Sequence, residues 1–217
     1  MTALLRKAVR SGFHRTRVAA ALGARLAKVA ALRALRASDH GRWAKPENLE
    51  VWWDERTRLL AELVPPGSRV IEFGAGRRQL ERYLDQSCTY VPSDLVDRGP
   101  GTIVCDLNQR PLPDLSGVRP DVAVFGGVLE YVANTEALIA WLAPAITRCV
   151  ASYAYVDPNA GLAERVWRYI ERWRNGYMSH HTEQELIDLF GRNGFVCNER
   201  RTWQAQGLFR FDKARGH

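Results

Sequence analysis

Residues 70–78, Val-Ile-Glu-Phe-Gly-Ala-Gly-Arg-Arg, constrain what this chain can fold into more than any other stretch. A short apolar run passes into glycines at alternate positions, so a buried strand turns at once into a loop whose backbone a ligand can approach closely. Gly74 and Gly76 accept positive φ and place no side chain in the way. A helix beginning near Arg77 offers free amide groups at its N-terminus. This is the turn of a nucleotide-handling sheet, and its meaning depends on the strands and acids C-terminal to it.

The patterning after this turn is regular. It predicts a strand at 70–73, a helix over 79–84, a strand at 90–93, a turn at 99–101 and a strand at 102–105. A strand at 122–125, a helix over 135–142 and a strand at 149–153 come next. Strands separated by helices or short crossovers mean a parallel, doubly wound sheet. Further on, a helix over 161–174 places Leu162, Val166, Ile170 and Trp173 on one face, and Thr182 with Glu185 forms a capping box for the next helix. Two final strands, 195–203 and 207–211, have no helix between them, so at least one pairing there is antiparallel. Before the glycine turn, a helix over 47–63 carries Leu49, Trp52, Trp53, Leu59 and Leu60 and is stopped by Pro65-Pro66-Gly67. The expected fold is α/β: a Rossmann-like, doubly wound, mostly parallel seven-stranded sheet with a C-terminal antiparallel hairpin and an N-terminal helical extension.

A chain of 217 residues holds one such domain and an appendage. The expected division is a basic amphipathic helical extension at 1–44 and a catalytic domain at 45–217. With 46% hydrophobic residues and no apolar run of about 18, the chain is expected to be soluble. Its net charge of +7 is unevenly placed: residues 1–38 hold nine Lys or Arg and no acid, leaving 22 basic against 24 acidic residues in the rest. The positive field therefore belongs to the leading segment and does not mark the body as a nucleic-acid surface. That segment reads in three ways: a helical cap on the domain, a helix on an anionic membrane or partner, or a removable targeting segment. Cys88, Cys105, Cys149 and Cys197 are widely spaced, with no metal-ligand pattern, so free thiols and a reducing, cytoplasmic setting are expected, with surface association to a membrane left open by residues 1–38. No metal site is expected.

Three successive strands end in acids. Glu72 closes the first, Asp94 the second, 22 residues on, and Asp106 comes after the third, 12 residues later. An acid at the carboxyl end of the strand beside a glycine turn is placed to accept hydrogen bonds from ribose hydroxyls. A pyrophosphate would favour bare amides, whereas a sulfonium zwitterion favours nearby carboxylates. The third glycine of a dinucleotide motif would fall at Gln79, and neither that residue nor Arg78 is glycine.

The ordered set of residues 70–76, Asp94, Cys105-Asp106-Leu107-Asn108 and Gly126-Gly127-Val128-Leu129-Glu130-Tyr131 resembles the class I S-adenosylmethionine-dependent methyltransferases over roughly residues 47–212. The resemblance implies that Gly74, Ala75 and Gly76 face the methionine and ribose part of S-adenosylmethionine. It implies that Asp94, with Leu95 beside it, holds the ribose diol, that Asp106 and Leu107 read the adenine, and that Gly126 completes the cofactor wall. Glu72 would help hold the amino group, and S-adenosylhomocysteine would be the product.

The acceptor is argued by elimination. The fourth strand leads into Phe125-Gly126-Gly127-Val128 in place of a base-amine clamp, and no Pro-Cys pair offers a thiolate for a pyrimidine ring. Nucleic acid is therefore disfavoured, with an RNA methyltransferase as a minor alternative. A hydroxyl, or second to it an amine, on a small molecule, sugar or lipid-linked glycan remains. His180 and His181, ahead of the helix capped by Thr182, and Glu130, after the fourth strand, are the candidate catalytic groups. Trp167, Tyr169, Trp173 and Tyr177 read either as core packing or as a lid over the acceptor. The competing reading is a degenerate cofactor-binding scaffold that regulates a partner.

Overall fold

The computed structural model describes residues 23–214. Seven strands form one sheet: β1 (Arg69–Phe73), β2 (Thr89–Asp94), β3 (Ile103–Val104), β4 (Val122–Gly126), β5 (Arg148–Tyr153), β6 (Phe195–Trp203) and β7 (Gln206–Lys213). Their order is β3-β2-β1-β4-β5-β7-β6. The first five run parallel, and β7 is antiparallel to both β5 and β6. The expected sheet and closing hairpin are both present.

The strands are apolar on both faces because helices cover both faces. Side chains alternate, so Ile71, Phe73, Ala123, Phe125 and Ala151 pack on one side against α5 (Thr135–Leu142) and α7 (Glu183–Arg192). Phe190 of α7 stacks on Phe211 with ring centroids 3.8 Å apart. On the other side Val70, Val122, Val124 and Val150 pack against Leu60 of α3 (Asp54–Ala61) and Leu80 of α4 (Gln79–Tyr83). The capping box of α7 is made as expected: the Glu185 amide donates to Thr182 Oγ1 (3.2 Å) and the Thr182 amide to Glu185 Oε2 (2.8 Å). All four cysteines are free.

Two expectations are corrected. The helix expected over 47–63 starts only at Asp54, after two single 3-10 turns at Pro46–Asn48 and Val51–Trp53. Leu49 and Glu50 are extended between them, and Trp52 stacks on Trp203 of β6 at 5.4 Å; tertiary packing of the aromatic residues outweighs helical periodicity. The second concerns α6 (Leu162–Asn175), where Trp167 and Tyr169 are exposed and not part of the core.

Ahead of the sheet, α1 (residues 23–34) and α2 (His40–Trp43) lie on the domain. Val29 is buried, the Arg33 guanidinium donates to the Tyr177 carbonyl, and Arg42 Nη1 donates to the Asn175 carbonyl (2.6 Å). Of the expected extension at 1–44, residues 1–22 lie outside the described residues.

Candidate active site

The carboxyl ends of β1, β2 and β4 open on a cavity of about 470 Å³. Its floor is the glycine turn. Gly74 has φ +73° and Gly76 φ +53°. The amides of Gly74 and Ala75 donate to the Ser93 carbonyl at 2.8 and 3.0 Å, and that of Gly76 to Asp94 Oδ2 at 2.8 Å. A Cβ on Gly74 would lie 2.4 Å from Val128 Cγ2, so this position takes glycine for space as well as conformation. Arg78, where a third glycine might have stood, also has a left-handed backbone, φ 56° and ψ 34°. Its side chain turns to the Pro100 carbonyl (3.0 Å) and Glu81 (3.0 Å) and does not line the cavity.

Of the three strand-end acids, two face the cavity. Glu72 is buried and accepts the Tyr90 hydroxyl at 2.5 Å. Burial pushes its carboxyl up to about 8, against the opposing pull of the Tyr90 hydrogen bond and of Arg56. Asp94, 6% exposed, pairs with Arg98 Nε at 3.2 Å in addition to the Gly76 amide. Arg98 Nη2 in turn donates to the Trp43 carbonyl at 2.5 Å, which ties the N-terminal strap to this acid. Arg98 Nη2 also reaches Asp94 Oδ1 at 3.2 Å; a carboxylate has about four lone-pair sites, so these contacts leave about one on Oδ1 for a ligand hydroxyl.

The third acid is placed differently. Asp106 accepts the Ser38 hydroxyl (2.6 Å) and the Asn108 amide (2.9 Å) and meets His40 Nε2 (3.1 Å). Its carboxylate is taken up by the strap and does not line the cavity, while its neighbours Cys105, Leu107 and Asn108 do. Ala75, Leu95 and Gly126 also line it.

Glu130, the first of the candidate catalytic residues, is 1% exposed and lines the cavity. Its Oε1 accepts the Ala154 amide at 2.8 Å, whereas Oε2 has no hydrogen-bond partner among the described residues. Burial raises its pKa, outweighing the Ala154 hydrogen bond and the pull of Arg56 and Arg172. The two histidines are elsewhere. His180 sits between Arg33 Nη2 (3.0 Å) and Arg172 Nε (3.1 Å), and burial followed by these cations pushes its pKa down to about 4. His181 meets Thr135 Oγ1 at 2.7 Å. Both line a separate depression near α7, so the structure does not bring either histidine to the cavity.

Sequence reasoning passes over Arg56. This α3 residue is 6% exposed, and its Nη2 donates to the Gly126 carbonyl (2.9 Å) while Nη1 reaches Gln206 Oε1 (3.4 Å). The guanidinium lies over the rings of Trp53 and Trp203, 5.4 and 5.8 Å from their centroids. Among the described residues it has no carboxylate within ion-pair distance. Trp43, Trp52, Trp53, Tyr131 and Tyr177 form the aromatic walls. Trp43 belongs to the strap, and nothing local in residues 40–43 marks it as a site residue.

The methyltransferase domain family model matches residues 35–199. The chain belongs to the class I S-adenosylmethionine-dependent methyltransferase family. No curated protein sequence matches it. Solved structures share its fold at low identity. The Burkholderia thailandensis 1,6-didemethyltoxoflavin-N1-methyltransferase, solved with bound 1,6-didemethyltoxoflavin and S-adenosylhomocysteine, is 18% identical with a TM-score of 0.56 over 78% of this chain and 83% of that one. The human N-acetylserotonin methyltransferase complex with S-adenosylmethionine is 12% identical with a TM-score of 0.59 over 82% and 57%. The magnesium protoporphyrin IX methyltransferase of Synechocystis, with bound S-adenosylhomocysteine, is 19% identical with a TM-score of 0.51 over 75% and 82%. The chain spans little more than half the length of some neighbours, 57% of the human enzyme and 54% of a pyocyanin biosynthetic protein.

The residues present fit the family's cofactor. The turn at Gly74 leaves backbone open to a ligand, two carboxylates face the cavity, and a buried guanidinium without a carboxylate partner is available for an anionic group. Glu72 would take the ammonium, Asp94 a ribose hydroxyl and Arg56 the carboxylate, with Leu107 and Asn108 beside the base.

Glu72 makes this fit measurable. Without ligand it holds a proton up to about pH 8. A cation beside it favours the carboxylate, so at pH 7 S-adenosylhomocysteine binding releases close to one proton. Calorimetry in buffers of different ionisation enthalpy reads this release, which Glu72→Gln removes. The linked stability has the matching sign: a carboxyl whose folded pKa is raised favours the fold at low pH and loses that contribution as pH rises from about 4.5 to about 8.

Proposed function

We propose that this enzyme transfers the methyl group of S-adenosylmethionine to a hydroxyl of a small molecule, a sugar or a lipid-linked glycan. The observation that carries this reading is Glu130, a buried carboxylic acid on the cavity wall whose Oε2 is left without a partner among the described residues. S-adenosylmethionine supplies an electrophilic methyl on a sulfonium, and the displacement is in line, so much of the catalysis is alignment. A poorly acidic hydroxyl also needs a base, whereas a neutral amine does not. Glu130 Oε2 takes the hydroxyl proton. Its raised pKa makes it a stronger base than an exposed carboxylate, and Arg56, close enough to pull on its pKa, favours the ionised form that does this work. The tryptophans and tyrosines around the cavity provide flat apolar walls that orient an acceptor and exclude water.

An acceptor panel with methyl-labelled S-adenosylmethionine tests the proposal. Phenols, sugars, isoprenoid-linked sugars, amines and RNA are offered to the full chain. Label in a hydroxyl is the expected result. Label confined to amines or to RNA overturns it.

A further inference from the structure

Helix α6 presents its faces the wrong way round for a core helix. Successive side chains stand about 100° apart, so Leu162, Val166, Ile170 and Trp173 share one side, with Tyr169 and Trp167 toward its two margins. In a globular domain such a side packs on the core. Here the polar side meets the body only at the C-terminal end, where buried Arg172 donates to the carbonyls of Ala154 and Ser179 and to His180 Nδ1 and where Glu171 and Asn175 line the catalytic cavity, while residues 162–171 are exposed all round. The apolar side is left to solvent, with Leu162 77%, Val166 51%, Trp167 62% and Ile170 45% exposed.

We infer that this outer face of α6 docks on an anionic lipid surface. The charges are sorted for it. Arg165 and Arg174 flank the apolar side along its two margins, whereas Glu164 and Glu171 lie on the far side, with Arg168 paired to Glu164 there at 3.5 Å. Arginines in that position lay their stems along the apolar layer and keep their guanidiniums at headgroup level. Tryptophan and tyrosine at the margins suit the same depth. The chain beside the helix is basic too. Arg33 of α1 holds the Tyr177 carbonyl and His180 just beyond the C-terminal end of α6, and residues 23–38 carry four Lys or Arg without an acid. A second copy of the chain would bring the same basic segment against this one, a like-charge juxtaposition that an interface avoids, whereas anionic headgroups complement it. No helix among the described residues is long and apolar enough to cross a membrane, so the contact is peripheral. Because Glu171 and Asn175 of the same helix line the cavity, docking brings the active-site wall to the lipid surface. The docking itself does not depend on the identity of the acceptor.

Cosedimentation with vesicles tests this. The full chain is mixed with phosphatidylcholine vesicles and with vesicles that also contain phosphatidylglycerol, beside the double variant Val166→Glu, Ile170→Glu. Both positions are exposed, so the variant is expected to keep its melting temperature and its affinity for S-adenosylhomocysteine, which serve as the folding control. The wild type sediments with the anionic vesicles, less so at high salt, and the variant loses at least about tenfold in vesicle affinity. Equal sedimentation of variant and wild type, or none by the wild type, overturns the inference. So does a concentration-dependent dimer in light scattering that the variant abolishes, which would assign the face to a second copy.

Discussion

Asp94→Ala is expected to weaken S-adenosylhomocysteine binding by about tenfold to a hundredfold in calorimetry. A hydrogen bond from a ribose hydroxyl to a charged acceptor contributes about 1.5–3 kcal/mol, so its loss weakens binding by roughly 10–10²-fold. The substitution also strips the Gly76 amide of its acceptor and leaves Arg98 buried without a counter-ion. Breaking a buried pair from one side costs about 3–5 kcal/mol, so the alanine variant is also expected to melt earlier. Asp94→Asn separates the two effects. It keeps an acceptor of the same shape, lowers the melting temperature less, and still weakens binding by about tenfold or more through the lost charge. A folded Asp94→Ala protein that binds S-adenosylhomocysteine as tightly as wild type would sink the assignment of the ribose site.

Glu130→Gln has the second large effect, on turnover and not on cofactor affinity. Glutamine is isosteric and can keep its side-chain oxygen on the Ala154 amide, so the fold and S-adenosylhomocysteine binding are expected to survive. With an acceptor returned by the panel, kcat falls by about 10²–10⁴, the range for loss of a positioned general base. The pH profile supplies the readout that a structural role would not move. Wild-type activity rises with pH through a value above the ordinary carboxylate range, because only the ionised form accepts a proton and burial raises its pKa. In the glutamine variant that limb is gone. A variant with kcat within about threefold of wild type and the same pH limb would leave Glu130 as packing and refute its role as base.

The residues that are legible in the sequence share a physical reason. Glu72, Gly74, Gly76 and Asp94 sit at strand ends, where a buried apolar run must give way to a loop, and that boundary is written in adjacent residues. Parallel strands then bring those ends to one edge of the sheet without further information. Leu95, Leu107 and Gly126 come to the cavity for the same reason. Asp106 has an equally clear position after a strand, but the strap arriving from residues 38–40 takes its carboxylate away from the cavity. His180 and His181 have the chemistry of a base and stand just before a helix cap. What removes them is Arg33 from the distant α1, Arg172 from the helix just ahead of them and a threonine at the start of α5.

Arg56 shows the reverse case. Nothing in α3 distinguishes it from a solvent-facing arginine, and its role arises because α3 lies against β4 and brings the guanidinium over Gly126. The aromatic walls arise likewise: Trp43, Trp52 and Trp53 precede the glycine turn and reach the cavity only because the leading segment folds back over the sheet edge. Periodicity places the apolar residues of α6 on one face. Which way that face points is a property of Arg172 and its carbonyl partners.

Local sequence thus determined the sheet, its glycine turn and the strand-end acids Glu72 and Asp94, since strand, turn and helix signals act over a few residues and a doubly wound sheet leaves one edge for a ligand. The rest of the cavity was decided by the tertiary structure alone. Its walls come from the strap, α3, α6 and β7, elements far apart in the chain, and a buried guanidinium, an unpartnered carboxylate oxygen and an outward apolar helix acquire meaning only when those elements are packed together.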